Sequence, residues 1–191
     1  MGKIIILDYG SQYTQLIARR IREQHVYSEI VPYTISAARV REIAPKGVIL
    51  SGGPNSVFEE GAPGIDRAIF ELGIPVLGVC YGMQLMSQEL GGEVRPGERR
   101  EYGKTEMTVE PGNVLFRGLP DRFVVWMSHG DRVSAIPASF KVSATSANCP
   151  FAAVRDEARN FFGIQFHPEV VHTEHGKQIL SNFIFLICGA K

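Results

Sequence analysis

The chain has 191 residues, enough for one well-buried core and too few for two typical domains, so a single domain over residues 1–191 is expected. Twenty basic residues balance twenty acidic ones, so no net field draws the protein to nucleic acid or to an anionic membrane. Apolar content of 45% and charged content of 21% fit an ordinary globular protein, and no apolar run reaches bilayer-spanning length. The three cysteines, Cys80, Cys149 and Cys188, lack C-x-x-C spacing, and their odd number argues against a disulfide framework. With no secretory leader pattern and no Asn-x-Ser/Thr acceptor, the expected location is the reducing cytoplasm.

In chain order, residues 4–8 read as a buried strand, and residues 12–23 as a helix with Leu16, Ile17 and Ile21 on one face. Residues 29–32 read as a second strand, and residues 36–43 as a helix capped by Ser36. A third strand over 47–50 runs into the loop 51–56. A helix over 63–72, a strand over 75–79 and a helix over 82–90 follow. Such a βαβα series implies right-handed crossovers and a parallel sheet with helices on both faces. Beyond Gly91-Gly92 the rhythm changes: residues 105–110, 122–127, 141–145, 151–155 and 160–165 read as strands, and 174–187 as an apolar helix. The expected fold is α/β, a three-layer α/β/α open twisted sheet with a mainly parallel core and an antiparallel extension.

Gly78-Val79-Cys80-Tyr81-Gly82 ends a strand and opens a helix, which is the geometry of a nucleophile elbow with cysteine as nucleophile. The turn forces strained backbone angles and brings neighbouring backbones close, hence the flanking glycines. The helix N-terminus favours thiolate over thiol at Cys80; a buried structural cysteine is the plainer reading. A thiolate needs a base. His167 ends the apolar run 161–166 and is followed by Pro168 and Glu169, so on extended chain its side chain and that of Glu169 point the same way. Glu169 can then orient the imidazole and stabilise its cation. Donors for an oxyanion are expected from the N–H of Tyr81 and from Gly53 in Ser51-Gly52-Gly53-Pro54, both at the carboxyl edge of the sheet.

Cys80-Tyr81-Gly82-Met83-Gln84, Ser51-Gly52-Gly53-Pro54 and His167-Pro168-Glu169 together resemble the class I, triad-type glutamine amidotransferases over nearly the whole chain. Residues 8–15, 125–131, 149–151 and 170–173 look like the glutaminase branch of that family that serves GMP synthetase. The resemblance implies that Cys80 attacks the side-chain amide of glutamine, ammonia leaves, and water resolves a glutamyl thioester. It also implies that Gln84 and the segment Ser128, His129, Gly130 hold the substrate. Read without the family, Gln84 is an exposed polar residue one turn into a helix, and His129 is equally a structural donor.

In two-part enzymes of this branch an ATP-using portion would begin near Cys188. Ser51 to Ser56 lacks the aspartate that an ATP-pyrophosphatase loop wants at position 55, and Gly97 lies one residue too far from Gly103-Lys104-Thr105 to open a Walker loop. No cofactor is therefore expected in this chain; ATP and Mg are expected on an ATP-pyrophosphatase (synthetase) domain or subunit that converts XMP to GMP. Arg95, Arg99, Arg100 and Lys104 are a candidate contact for that partner, or simply a solvated hairpin. Other readings are a self-contained glutamyl hydrolase or cysteine peptidase, a redox module sensing through Cys80, and a metal site at His167, His172 and His175, whose scattered spacing argues against it. No metal is expected.

Overall fold

Four runs of apolar residues build the centre of one nine-stranded sheet in the computed structural model, which describes residues 2–191. β1 (Lys3–Asp8), β3 (Gly47–Leu50), β4 (Val76–Val79) and β9 (Phe161–Ile164) are apolar without alternation because both faces of each are covered. Successive residues of β1 therefore enter different cores. Ile4 and Ile6 pack with Ile17 and Ile21 of α1 (Thr14–Arg22) and Ile179 and Leu180 of α4 (Gly176–Ser181). Ile5 and Leu7 face the opposite way, onto Val40 of α2 (Ala37–Ile43) and Met83 and Met86 of α3 (Tyr81–Glu89). This is the three-layer α/β/α arrangement. Each fully buried aliphatic side chain stabilises it by roughly 2 kcal/mol.

The strand order is β2-β1-β3-β4-β9-β8-β7-β5-β6, with β2 (Tyr27–Pro32) at one edge. The pairs β1–β2, β1–β3, β3–β4 and β4–β9 are parallel, and those from β9 outward are antiparallel. β9 is thus the seam: expected within the antiparallel extension, it pairs parallel with β4 on its other side. In that register Val79 lies opposite Ile164, which sets the residues following the two strands side by side.

Several elements depart from the sequence expectation for physical reasons. The face of α1 consists of Thr14, Ile17, Ala18 and Ile21, with Leu16 only half-buried. The expected helix over 63–72 shrinks to a 3-10 turn, Arg67–Glu71. Asp66 shortens it, accepting from the N–H of Ala68 at 3.1 Å while its other oxygen caps Ala37 of α2 at 2.8 Å; Gly73, at φ 73°, ends it. Ser36 caps α2 as expected, accepting from the Arg39 N–H at 3.1 Å.

β5 (Glu93–Val109) and β6 (Arg122–Ala135) are far longer than their apolar segments and form a twisted ribbon, interrupted between Pro96 and Glu101. The polar half of that ribbon is largely exposed and so carries no apolar alternation in the sequence. β7 (Lys141–Ser146) and β8 (Cys149–Asp156) join it to β9. After α4 the helix widens to π geometry over Asn182–Ile187, where the buried Asn182 amide donates to the carbonyls of Leu115 and Arg117 at 2.9 and 3.0 Å. Among the described residues no helix is long and apolar enough to cross a membrane.

Candidate active site

Cys80 occupies the first position after β4 with φ 51° and ψ −108°, a left-handed conformation that a non-glycine residue keeps only when its surroundings impose it. Its own N–H donates to the Ile164 carbonyl at 2.8 Å, and the Gly82 N–H donates to the Ser51 carbonyl at 3.1 Å. The turn is possible only because its flanks are bare. A Cβ on Gly78 would lie 2.7 Å from the Gly82 carbonyl oxygen, and one on Gly82 would run into the backbone of Leu50. The elbow expected from the sequence is therefore present, and its strain is stored between β3, β4 and β9.

His167 follows β9 by three residues and is buried, with Nδ1 2.7 Å from Oε1 of Glu169, itself 1% exposed. Burial of the ring works against its charge, but the Cys80 sulfur and then the Glu169 carboxylate outweigh that cost and raise its pKa to about 10. His167 is held from several sides. Its N–H donates to the Trp126 carbonyl at 3.0 Å, and its carbonyl accepts from the Thr173 hydroxyl at 2.6 Å. That hydroxyl accepts in turn from the Trp126 N–H at 2.9 Å. The His172 ring lies against Trp126 at 4.8 Å, and Arg20 donates to the Glu169 carbonyl at 3.1 Å. Trp126 of β6, with His172 and Thr173, thus fixes the His167 backbone against that strand.

Cys80 lines two clefts. The larger, of about 460 Å³, is lined by Gly53, Tyr81, Gln84, Arg100, Ser128, His129, Gly130 and Asp131. The smaller, of about 300 Å³, is lined by residues 10–13, Gly53, Cys80, Ser128 and His167. The structure therefore brings together all the expected site residues: Cys80, His167 and Glu169, the loop glycine Gly53, Tyr81, Gln84 and the segment Ser128 to Gly130. As the first residue of α3, Tyr81 has an N–H with no acceptor inside the helix. Gly53 packs against the Tyr9 carbonyl so closely that no side chain fits there.

Gln84 departs from its plainer reading, and His129 combines both of its readings. Gln84 is buried, not exposed; its amide nitrogen donates to the Asp131 carbonyl at 3.1 Å and to Oε1 of Gln165 at 3.2 Å. His129 lines the larger cleft yet is anchored as a structural group, Nδ1 2.7 Å from the Asp131 carbonyl. Its pKa is lowered by burial, against the pull of that hydrogen bond and of Glu101. Arg100 also reaches the larger cleft, the one member of the Arg95, Arg99, Arg100, Lys104 group to do so. Lys104 and Thr105 lie within β5, an extended strand and not a phosphate loop.

Sequence reasoning missed Gln165, Asp131 and Thr173. Gln165 is fully buried and donates from Nε2 to the Cys80 sulfur at 3.4 Å. The signal for it was present: a single polar residue inside the apolar run 161–166, two positions before His167 on the same side of extended chain. The triad of histidines weighed as a metal site is dispersed, His172 on Trp126 and His175 edge-on to Phe123. Among the described residues the three-membered grouping able to hold a cation is instead Glu101, His129 and Cys149, whose ligand atoms all lie within 4.8 Å of one another. Burial pushes the Cys149 thiol up to about 12, so that sulfur is a poor nucleophile.

Comparison with known proteins agrees with this geometry. Residues 5–187 match the family Glutamine amidotransferase class-I. The chain is 60% identical over 190 residues to GMP synthase [glutamine-hydrolyzing] of Lacticaseibacillus casei, covering 99% of this chain and 37% of that one. It is 57% identical over 186 residues to the Bacillus cereus protein of the same name, covering 97% and 36%. It thus spans little more than a third of the length of these curated relatives. A crystal structure from Thermoplasma acidophilum, provisionally described as one subunit of a GMP synthase, superposes with a TM-score of 0.90 at 35% identity, covering 99% of this chain and 94% of that one. A glutamine amidotransferase of Thermotoga maritima shares the fold at a TM-score of 0.77 and 19% identity, over 99% of both chains. On the family match and the full-length likeness to the Thermoplasma protein, this chain belongs to the class-I glutamine amidotransferases.

Proposed function

We propose that this chain hydrolyses the side-chain amide of glutamine to glutamate and ammonia through a thioester on Cys80, and delivers the ammonia to a synthetase that converts XMP to GMP. The observation that carries this reading is a cysteine held at φ 51° at a helix start, with a buried imidazole beside it that is paired at 2.7 Å with a buried carboxylate. In the proposed sequence the Cys80 thiolate attacks the amide carbon, and the developing oxyanion accepts from the Tyr81 and Gly53 N–H groups. The His167 cation gives its proton to the departing nitrogen, and ammonia leaves. Neutral His167 then takes a proton from water, whose oxygen attacks the thioester; glutamate departs and the thiolate returns. Glu169 keeps the imidazole in the tautomer that presents Nε2 to the sulfur.

The larger cleft suits an amino acid. Both N–H groups of the Gln84 amide are already committed, so what Gln84 offers a ligand is its oxygen, an acceptor for an ammonium or amide N–H. The segment Ser128, His129, Gly130 supplies the wall opposite. Ammonia released into water is mostly protonated at neutral pH, so useful transfer needs a sheltered acceptor. We assign ATP and Mg, and the nucleotide, to an ATP-pyrophosphatase domain or subunit, and we place the pair in the cytoplasm with no nucleic-acid or membrane partner. Support comes from the names of the longer relatives and from the placement of Lys104 and Thr105 within the extended strand β5. The test is glutamate release with and without a synthetase charged with ATP and XMP. A rise in turnover with the charged partner is expected; full turnover alone, without response, would favour a self-contained hydrolase.

A further inference from the structure

We infer that Gln165 is a catalytic residue: its carboxamide N–H hydrogen-bonds the Cys80 sulfur and holds it as the thiolate, and Gln84 positions that carboxamide. This rests on the reading of Cys80 as the nucleophile. The polarity of the contact is set by a group that allows no choice, the Asp131 backbone carbonyl. It can only accept, so the Gln84 atom 3.1 Å from it is the amide nitrogen. The same nitrogen lies 3.2 Å from the Gln165 side chain, which must therefore present its oxygen there. The remaining end of Gln165 is then its nitrogen, 3.4 Å from Cys80 Sγ. The direction of all three bonds is thus set from the backbone outward, and the last donates to sulfur.

The parallel register of β4 and β9 brings the two residues next to each other. Val79 pairs with Ile164, so the next residues, Cys80 and Gln165, are neighbours across the strand ends. Gln165 is fully buried, and its own N–H donates to the Ala152 carbonyl at 2.8 Å, so its position does not depend on solvent or on a ligand. It lines neither cleft, which separates it from substrate recognition.

The sulfur has a second polar neighbour, the Ser128 carbonyl at 3.5 Å. A thiol can donate to that oxygen, whereas a thiolate is repelled by it. The two protonation states therefore have separate partners: Ser128 favours S–H, and Gln165 favours S⁻. A hydrogen bond to an ionised group is about twice as strong as a neutral one, so the Gln165 contact gains most when the sulfur is charged. The same donor favours the second half of the reaction. When water attacks the thioester, the C–S bond breaks with its electron pair going to sulfur, and the Gln165 N–H stabilises that leaving thiolate.

The test reads the thiolate directly. Alkylation of Cys80 by iodoacetamide is followed across pH by peptide mass spectrometry, which separates it from Cys149 and Cys188, for wild type, Gln165→Met, Gln165→Glu and Gln84→Met. Gln165→Met is expected to slow Cys80 alkylation about tenfold near neutral pH by displacing its profile to higher pH. Gln165→Glu, which adds negative charge beside the sulfur, is expected to displace it further, and Gln84→Met less, because the Gln165 amide is then free to turn. For Gln165→Met the glutaminase kcat should fall with the KM for glutamine unchanged. A folded Gln165→Met protein whose alkylation profile overlays wild type would overturn the inference. If the Gln165 variants do not fold, an unchanged profile for Gln84→Met does the same. Alkylation does not depend on glutamine being the substrate, so this failure is distinct from a failure of the proposed function, which would show as Cys80→Ala retaining glutamate release.

Discussion

The imidazole Nδ1 of His167 lies 2.7 Å from Oε1 of Glu169, two residues on, and both side chains are buried. That pairing fixes which nitrogen faces the sulfur. It also makes the site a unit in which each member depends on the others.

From this dependence the first prediction follows. His167→Ala should lose glutamate release nearly as completely as Cys80→Ala. Glu169→Ala should retain about a hundredfold more activity than either, since an orienting acid is partly dispensable in such units. Steady-state turnover of the three variants checks the order. Wild-type turnover in His167→Ala would remove that residue from the mechanism.

The second prediction concerns stability against pH. The His167 pKa is raised in the folded protein to about 10, from 6.5 for a free side chain. A raised cation stabilises the fold fully below the unfolded value, and that contribution is lost as pH rises through the folded value. The stability advantage of wild type over His167→Asn, read from urea unfolding, should therefore be largest below about pH 6.5 and shrink as pH rises toward about 10. An advantage that grows with pH across this window would show that the histidine is held neutral.

How much of this was legible in the sequence differs from part to part. The parallel half of the sheet announced itself because strands covered on both faces are continuously apolar, as in β1, β3 and β4. The grouping of Cys80, His167 and Glu169 was legible because its geometry is local: an elbow between two glycines, and a histidine and a carboxylate two residues apart. The ribbon of β5 and β6 was only half visible, since its solvated arms carry Arg95, Glu98 and Arg99 where a buried strand would alternate. The helix expected over 63–72 failed on Asp66, whose two oxygens serve different backbones, a tertiary fact invisible to periodicity. Gln165 was overlooked because its partners, Gln84 and Cys80, come from a helix and a strand end some eighty residues away.

A third prediction tests the loop after β3. A Cβ at position 53 would collide with the Tyr9 carbonyl, so Gly53→Ala must displace the loop even though it keeps the N–H. If that N–H binds the oxyanion, turnover should fall by on the order of 3 kcal/mol in the transition state while glutamine binding suffers less. The measurement is kcat set beside KM. Unchanged kcat in a folded variant would place the oxyanion donors elsewhere.

The most direct test of the central claim is to look for the covalent intermediate itself. Wild-type protein mixed with glutamine is quenched in acid within the first turnover, digested, and analysed by mass spectrometry. The proposed mechanism predicts a glutamyl adduct on the Cys80 peptide, absent from the Cys149 and Cys188 peptides, that disappears as glutamate is formed. Glutamate released at the full rate with no adduct on Cys80, or released equally by Cys80→Ala, would contradict it.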